Sequence, residues 1–425
     1  MSDRPGIARS REARTAPARA LPPPRTFALI AVAAALAMVV AMVVAMVTWG
    51  GLNKLRQPQL ALAAVPANGF AYAQGVLKGI ASQVGDTPGQ LAKVVISPAQ
   101  RRAALESYTR EPFSSQGLAI VALGAEADGN SVRARQLMTA ALALSRRDSL
   151  VNGWSVLDAS RRNDLDAAIV ALNRSMTTNP ATAAIYVPAM VQSLRQDASV
   201  DVLARILARR PPWELAFWRG AMVAPQTIGN AGKLRARLVR GSQEDKDIDR
   251  ALLAALAQGR EFATATALYQ ARSGTRSGRD GAIVRNPDFG TTPVWPPFDW
   301  EVLATGEYSG AIARDGQGLT VEALPGSGGL VARQLVAIPA GAMRLRATLA
   351  HPFERDGNRL AIRLQCATTD ARVFQAELTA TGFARNFAAS GCRYHWLDIV
   401  VIPGATENRE TLALRRVDIG PVAAN

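Results

Sequence analysis

Side chains able to do chemistry are sparse in this chain. Its 425 residues include two histidines, His351 and His395, and two cysteines, Cys366 and Cys392. Two separated histidines are too few for a histidine-rich metal centre, and there is no helical His-Glu-x-x-His, no Gly-x-Ser-x-Gly elbow and no credible Cys-His pair. The run Gly229-Asn230-Ala231-Gly232-Lys233-Leu234 imitates a phosphate loop, but Thr227 stands at the first glycine position and Leu234 replaces the magnesium-binding hydroxyl. Glycoside hydrolysis needs only two carboxylates at a suitable distance, and it is the catalytic class these residues leave open. The expectation is a non-enzymatic protein without cofactor or metal. Both cysteines fall in strand-like segments with no cluster of metal ligands beside them except His395, which favours a disulfide over a metal site. It would close a loop of about 27 residues and contribute about 3–4 kcal/mol. Two unrelated buried thiols are the alternative.

The elements that would position such groups begin with a membrane segment. Residues 27–49 carry no charge, and as a helix they reach about 34 Å, enough to cross a bilayer. Six arginines against Asp3 and Glu12 precede the segment, and only Lys54 and Arg56 follow it closely, so the N-terminus is expected in the cytoplasm. The apolar stretch exceeds that of a cleaved signal peptide. Ala33, Ala37, Ala41 and Ala45 recur every fourth residue along it. Self-association into a homodimer through this small-residue stripe and simple filling of an apolar segment by alanine both fit.

The middle of the chain repeats every 34 residues. Ile120, Leu123 and Gly124 recur as Trp154, Leu157 and Asp158, while Ala134, Met138 and Ala141 recur as Ala168, Leu172 and Ser175. Asn130-Ser131 and Asn163-Asp164 offer N-caps for the second helix of each unit. The pattern resembles the tetratricopeptide repeat, best at Trp154, Leu157, Ala168, Leu172, Ser175 and Pro180, with the two helices about two residues closer in sequence and an aliphatic residue at the usual second aromatic. That resemblance implies a stacked helical solenoid that binds proteins on a concave surface and performs no chemistry. Further helices are expected over 97–110, 183–209, 213–240 and 244–271.

Charge has an address within this layout. The net +15 divides into +4 over residues 1–25, 29 basic against 18 acidic residues over 51–282, and an even 14 against 14 over 283–425. Lys233, Arg237 and Arg240 share a helical face with Arg235 beside them, so an anionic partner and a solvated arginine-rich surface are both open. Outside the cytoplasm that partner would be lipid headgroups or an acidic polysaccharide, and not nucleic acid.

After residue 282 the periodicity changes from helical to alternating, as in 319–323, 343–349, 360–366 and 396–401, with turn signals between the runs. About eight strands in some 140 residues predict a β-sandwich. Asn286-Pro287-Asp288-Phe289 followed by Pro297-Phe298-Asp299-Trp300 resembles the opening of jelly-roll domains of the carbohydrate-binding, galactose-binding-like class. With Cys366, and Cys392 three residues before His395-Trp396-Leu397, the chain is also similar to bacterial membrane-anchored tetratricopeptide-like proteins, some associated with cell-envelope polysaccharide systems. Gly290 stands where the wider class often has an acidic residue, so the class's ligand or calcium role lacks its side chain there. If the domain holds a sugar, exposed aromatics would stack on the ring, and Trp295 is the leading candidate with Tyr308 and Tyr394 behind it. Structural packing is the alternative for Trp295, and Phe289, Phe298 and Trp300 are expected to pack the sandwich entrance.

The expected protein is multidomain α + β: a basic cytoplasmic tail (1–25), a transmembrane helix (26–49), a linker (50–69), a tetratricopeptide-like helical domain (70–271), a second linker (272–282) and an antiparallel jelly-roll sandwich (283–425). It would sit in a bacterial inner membrane with its bulk in the periplasm, docking protein partners as a scaffold. Glycan or polysaccharide binding by the jelly roll is the alternative function, and a glycoside-active enzyme the third.

Overall fold

The computed structural model describes residues 24–84, 94–274, 282–313, 318–352, 357–389, 391–405 and 410–422. The basic tail, most of the second linker and the last three residues lie outside that set. The chain divides into two compact units, Met1–Val151 and Asn152–Asn425.

In the first unit α1 (Pro24–Asn53) starts at a proline, whose missing N–H costs a first helical turn nothing, and its side chains from Phe27 to Trp49 are exposed. It is the one helix among the described residues long and apolar enough to cross a membrane. The helix continues past Trp49, and the expected linker holds a further helix, α2 (Pro58–Ala64), built on the run Leu60-Ala61-Leu62-Ala63-Ala64. The two cross closely at Gly50, where a Cβ would stand 2.9 Å from Val65 Cγ2. Next come α3 (Gly69–Val84), α4 (Pro98–Arg110), α5 (Ser115–Ala127) and α6 (Ser131–Leu144). A capping box opens α4: Ser97 Oγ accepts from Gln100 N at 3.2 Å, and Gln100 Oε1 accepts from Ser97 N at 2.8 Å.

The 34-residue period is visible in element starts. α5 begins at Ser115 and α7 (Ser149–Arg161) at Ser149; α6 begins at Ser131 and α8 (Leu165–Thr178) at Leu165. Asn130 and Asp164 cap the second helices, accepting from Arg133 N and Ala167 N at 3.0 Å each. A second pair of caps, Ser114 and Asp148, has the same spacing at the first helices. The repeat residues Ile120, Ala134, Met138, Ala141, Trp154, Leu172 and Ser175 are buried.

The three later helical segments each break into a pair: α9 (Ala183–Ser193) and α10 (Ser199–Leu207), α11 (Glu214–Met222) and α12 (Ile228–Arg237), α13 (Gln243–Gln258) and α14 (Phe262–Ser273). Pro225, which cannot donate a backbone bond, lies in the second break, and Arg260 at φ 60° turns the third. The imitation phosphate loop lies inside α12. Gly232 serves packing there, since a Cβ would stand 2.6 Å from Thr264 Cγ2 on α14.

Ten strands follow: β1 (Glu301–Val302), β2 (Tyr308–Ile312), β3 (Leu319–Ala323), β4 (Gly329–Ala337), β5 (Gly341–Leu349), β6 (Arg359–Cys366), β7 (Arg372–Glu377), β8 (Gly382–Ala389), β9 (Tyr394–Ile402) and β10 (Glu410–Pro421). They form two antiparallel sheets ordered β1-β4-β9-β6-β7 and β2-β3-β10-β5-β8. From β3 to β10 the chain changes sheet at every step except β6 to β7, which pair as a hairpin, and the facing orders 3-10-5-8 and 4-9-6-7 are those of a jelly roll. Alternating residues such as Leu345, Ile362, Leu397, Ile399 and Leu414 fill the space between, with Phe289 and Trp300 at one end. Cys366 and Cys392 are disulfide-bonded.

Part of the outer face of the β4-β9 sheet is covered by helices. Leu335, Ala367, Tyr394 and Trp396 join the core of the helices that precede the sandwich, and Phe298 leaves the sandwich entrance to stack on Tyr269 of α14 at 4.7 Å between ring centroids. Helices α8 to α14 and the sandwich therefore make one compact unit, and the boundary between units falls inside α7 rather than at residues 272–282. Periodicity marks where the type of element changes, whereas packing decides where a unit ends.

Candidate functional site

In the first unit, α4, α5 and the start of α6 leave a groove of about 250 Å³. Leu105, Val121 and Ala125 form its apolar wall, and Arg101, Asp128 and Arg133 its charged rim. Arg101 donates to the Asp128 carboxylate, and that hydrogen bond holds the carboxyl below its usual range. A second cavity of about 260 Å³ lies between α2, α3 and α4 beside Leu62, Tyr72 and Ala103. Leu105, which lines the first groove, is 51% exposed. A mixed groove with an uncovered apolar side chain is suited to holding a peptide segment, because burial of apolar surface supplies the free energy and the rim charges set orientation.

In the second unit a polar row crosses the outer face of the β4-β9 sheet. Strand register aligns Glu301, Arg333, Asp398, Arg363 and Gln375 across β1, β4, β9, β6 and β7. Asp398 has no solvent exposure and accepts from Arg333 Nη2 at 3.3 Å and from Arg363 Nε and Nη2 at 3.2 and 2.9 Å. The Arg333 guanidinium also lies 4.1 Å from the centre of the Trp396 ring. A wholly buried carboxylate persists only with such partners, and both arginines keep part of their surface in water. On β9 the outward residues Tyr394, Trp396 and Val400 are apolar and Asp398 interrupts them, which is the signal the local sequence offered.

The three aromatics expected to stack on a sugar do not share a platform. Trp295 is half-buried against the helical core, in a loop held by Asp299 Oδ2, which accepts from the backbone N–H of Val294 and Trp295 at 2.8 Å each. Tyr394 packs against Phe262 of α14 at 5.5 Å between centroids. Tyr308 belongs to the other sheet, packed on the sandwich core and lying against Gly329, where a Cβ would come within 2.4 Å of its ring.

The basic face divides in the same way. Lys233 and Arg237 are half-exposed and paired with Asp197 and Asp201. Arg235 has no exposure at all: it bonds Asp249 Oδ1 at 2.5 Å and Asp245 Oδ1 at 3.1 Å, and lies 5.1 Å from the Trp218 ring centre. The Arg240 side chain is buried too, with Glu214 Oε1 at 2.8 Å and the Leu207 carbonyl at 2.6 Å. Arg235 and Arg240 are thus internal ion-pair residues and not part of a docking surface. Helical spacing showed which residues share an angle, and it could not show that α13 brings Asp245 and Asp249 to that angle. Burial alone would raise the Asp245 carboxyl, but hydrogen bonds from Ser242 and Arg210 outweigh it and hold the group well below the usual carboxylate range.

The alanines at 33, 37, 41 and 45 are exposed along α1. His351 is exposed after β5. His395 is buried on β9, opposite Cys366 on β6, and its burial pushes the imidazole below its ordinary range. Among the described residues no three His, Cys, Asp or Glu side chains gather in a way that could hold a metal ion. No protein-family model matches the chain, and no curated protein matches it.

Proposed function

We propose that the protein is a membrane-anchored scaffold, its bulk on the extracytoplasmic side, that docks a protein partner in the groove between α4, α5 and α6. The observation that carries this is the groove itself: Leu105, Val121 and Ala125 are flanked by Arg101, Asp128 and Arg133 on a unit continuous with the membrane helix. The 34-residue hairpins, like the tetratricopeptide repeats they resemble, offer a reusable surface for an extended or helical segment. With basic residues in excess over the helical region, an acidic, apolar-studded segment is the complementary partner. The disulfide fits an oxidising compartment such as the periplasm.

A second function, glycan binding by the jelly roll, is favoured by a different feature from the aromatics first considered. The Arg333–Asp398–Arg363 row beside Trp396 presents fixed donors on a sheet face and would suit a carboxylated sugar.

Site-specific photo-crosslinking in intact cells tests the scaffold. A photoreactive residue at Leu105 or Val132 should give a discrete adduct that disappears when Ala125→Arg fills the groove, while the same residue at exposed Ala384 of the sandwich should give none. Equal adducts at all three positions, or none at Leu105 and Val132, would remove the proposal.

A further inference from the structure

Where α1 leaves the apolar segment, the chain forms a collar of unpaired positive charge. The sequence contains no acidic residue from Ala13 to Gly85, yet Lys54, Arg56 and Lys78 come together here. Lys78 Nζ donates to the Arg56 carbonyl, and the Lys54 ammonium lies 4.8 Å from the centre of the Phe70 ring. None of the three forms an ion pair within the described residues. Beside them Leu52 is 72% exposed and Leu55 58%.

Length places this collar. Residues 27–49 as a helix cover about 34 Å, against a hydrocarbon core of roughly 30 Å and a headgroup layer of about 5–7 Å on each side. Lys54 follows Trp49 by five residues, so it falls within or just beyond that layer, with Arg56 and Lys78 tied to the same level. Leucines exposed at that depth meet the acyl boundary rather than water, and basic side chains there meet phosphates. Gly50 lets α2 close onto α1, so the collar is held by packing and does not hang on a free linker.

We infer that this collar, Lys54, Arg56 and Lys78 with Leu52 and Leu55, binds the headgroups of anionic phospholipids. The inference rests on α1 spanning the bilayer, and it adds a lipid ligand that the docking groove does not involve. The bound charge orients the helical unit on the membrane surface.

The test uses the full chain in nanodiscs containing spin-labelled phosphatidylglycerol or phosphatidylcholine, and reads the relative retention of the two at the protein. Each basic group near the surface changes preference about fivefold, so the native chain should favour the anionic lipid by at least about that factor. The triple variant Lys54→Gln, Arg56→Gln, Lys78→Gln should fall to near parity, the charge-keeping triple Lys54→Arg, Arg56→Lys, Lys78→Arg should retain the preference, and Arg147→Gln should leave it unchanged. Chain that fails to enter discs would overturn the membrane span and the collar together. Chain that enters but retains both lipids equally would overturn the collar alone, as would displacement of the anionic lipid by inorganic phosphate at matched ionic strength.

Discussion

Arg235 Nε donates to Asp249 Oδ1 at 2.5 Å, and the two side chains have essentially no contact with solvent. The pair joins α12 to α13, and Arg272 from α14 donates to the second oxygen of the same carboxylate at 2.8 Å. Removing one member leaves an uncompensated buried charge. Asp249→Ala should therefore lower the stability of the second unit by about 3–5 kcal/mol, whereas Lys233→Ala, which breaks only an exposed pair, should change it by less than about 1 kcal/mol. Urea unfolding of the two variants checks the contrast, and similar losses would mean that the internal network is not a structural joint.

Reduction acts on the same unit through another constraint. The Cys366–Cys392 bond ties β6 to the turn before β9, and its loss frees a loop of about 27 residues in the unfolded chain. Reductant, or paired Cys366→Ser and Cys392→Ser substitutions, should cost about 3–4 kcal/mol. The denaturation midpoint with and without reductant is the measurement, and coincident midpoints would contradict it.

Acid should weaken the protein through His395. Its folded-state pKa is depressed by burial, so below the ordinary histidine value of about 6.5 the unfolded chain binds the proton more readily than the folded one. The contribution is complete above that pH and declines as the pH falls from it toward the folded-state value. His395→Leu should flatten the slope of unfolding free energy between about pH 7 and 5. An unchanged slope in that variant would exclude His395 as its source.

The sandwich should not behave as an independent domain. Cut free of α13 and α14, residues 282–425 would uncover Phe298, Leu335, Tyr394 and Trp396, which the helices otherwise cover. Such a fragment should bind a hydrophobic dye or self-associate, and Asn152–Asn425 should not. Within the intact unit, Tyr269→Ala removes the stack on Phe298 and should cost about 3 kcal/mol or more, in line with buried aromatic truncations. A monomeric, dye-silent fragment would show that the helix–sheet contact is dispensable.

Local chemistry made much of this architecture legible without coordinates. An uncharged 23-residue run dictates a helix long and apolar enough to cross a membrane. The 34-residue spacing of large and small residues dictates the α5–α8 hairpins, with Asn130 and Asp164 starting their second helices, and strict alternation dictates β3, β5, β6 and β9. Each of these signals depends on near neighbours in the chain. What required the tertiary structure depends on partners far apart in sequence. Only α13 turns Arg235 from a surface charge into an internal one. Only α14 covers Tyr394, and only strand register brings Arg333, Asp398 and Arg363 into one row. A side chain's type and angle on its own element follow from local sequence, but its exposure depends on what else arrives there, and long-range packing decides that.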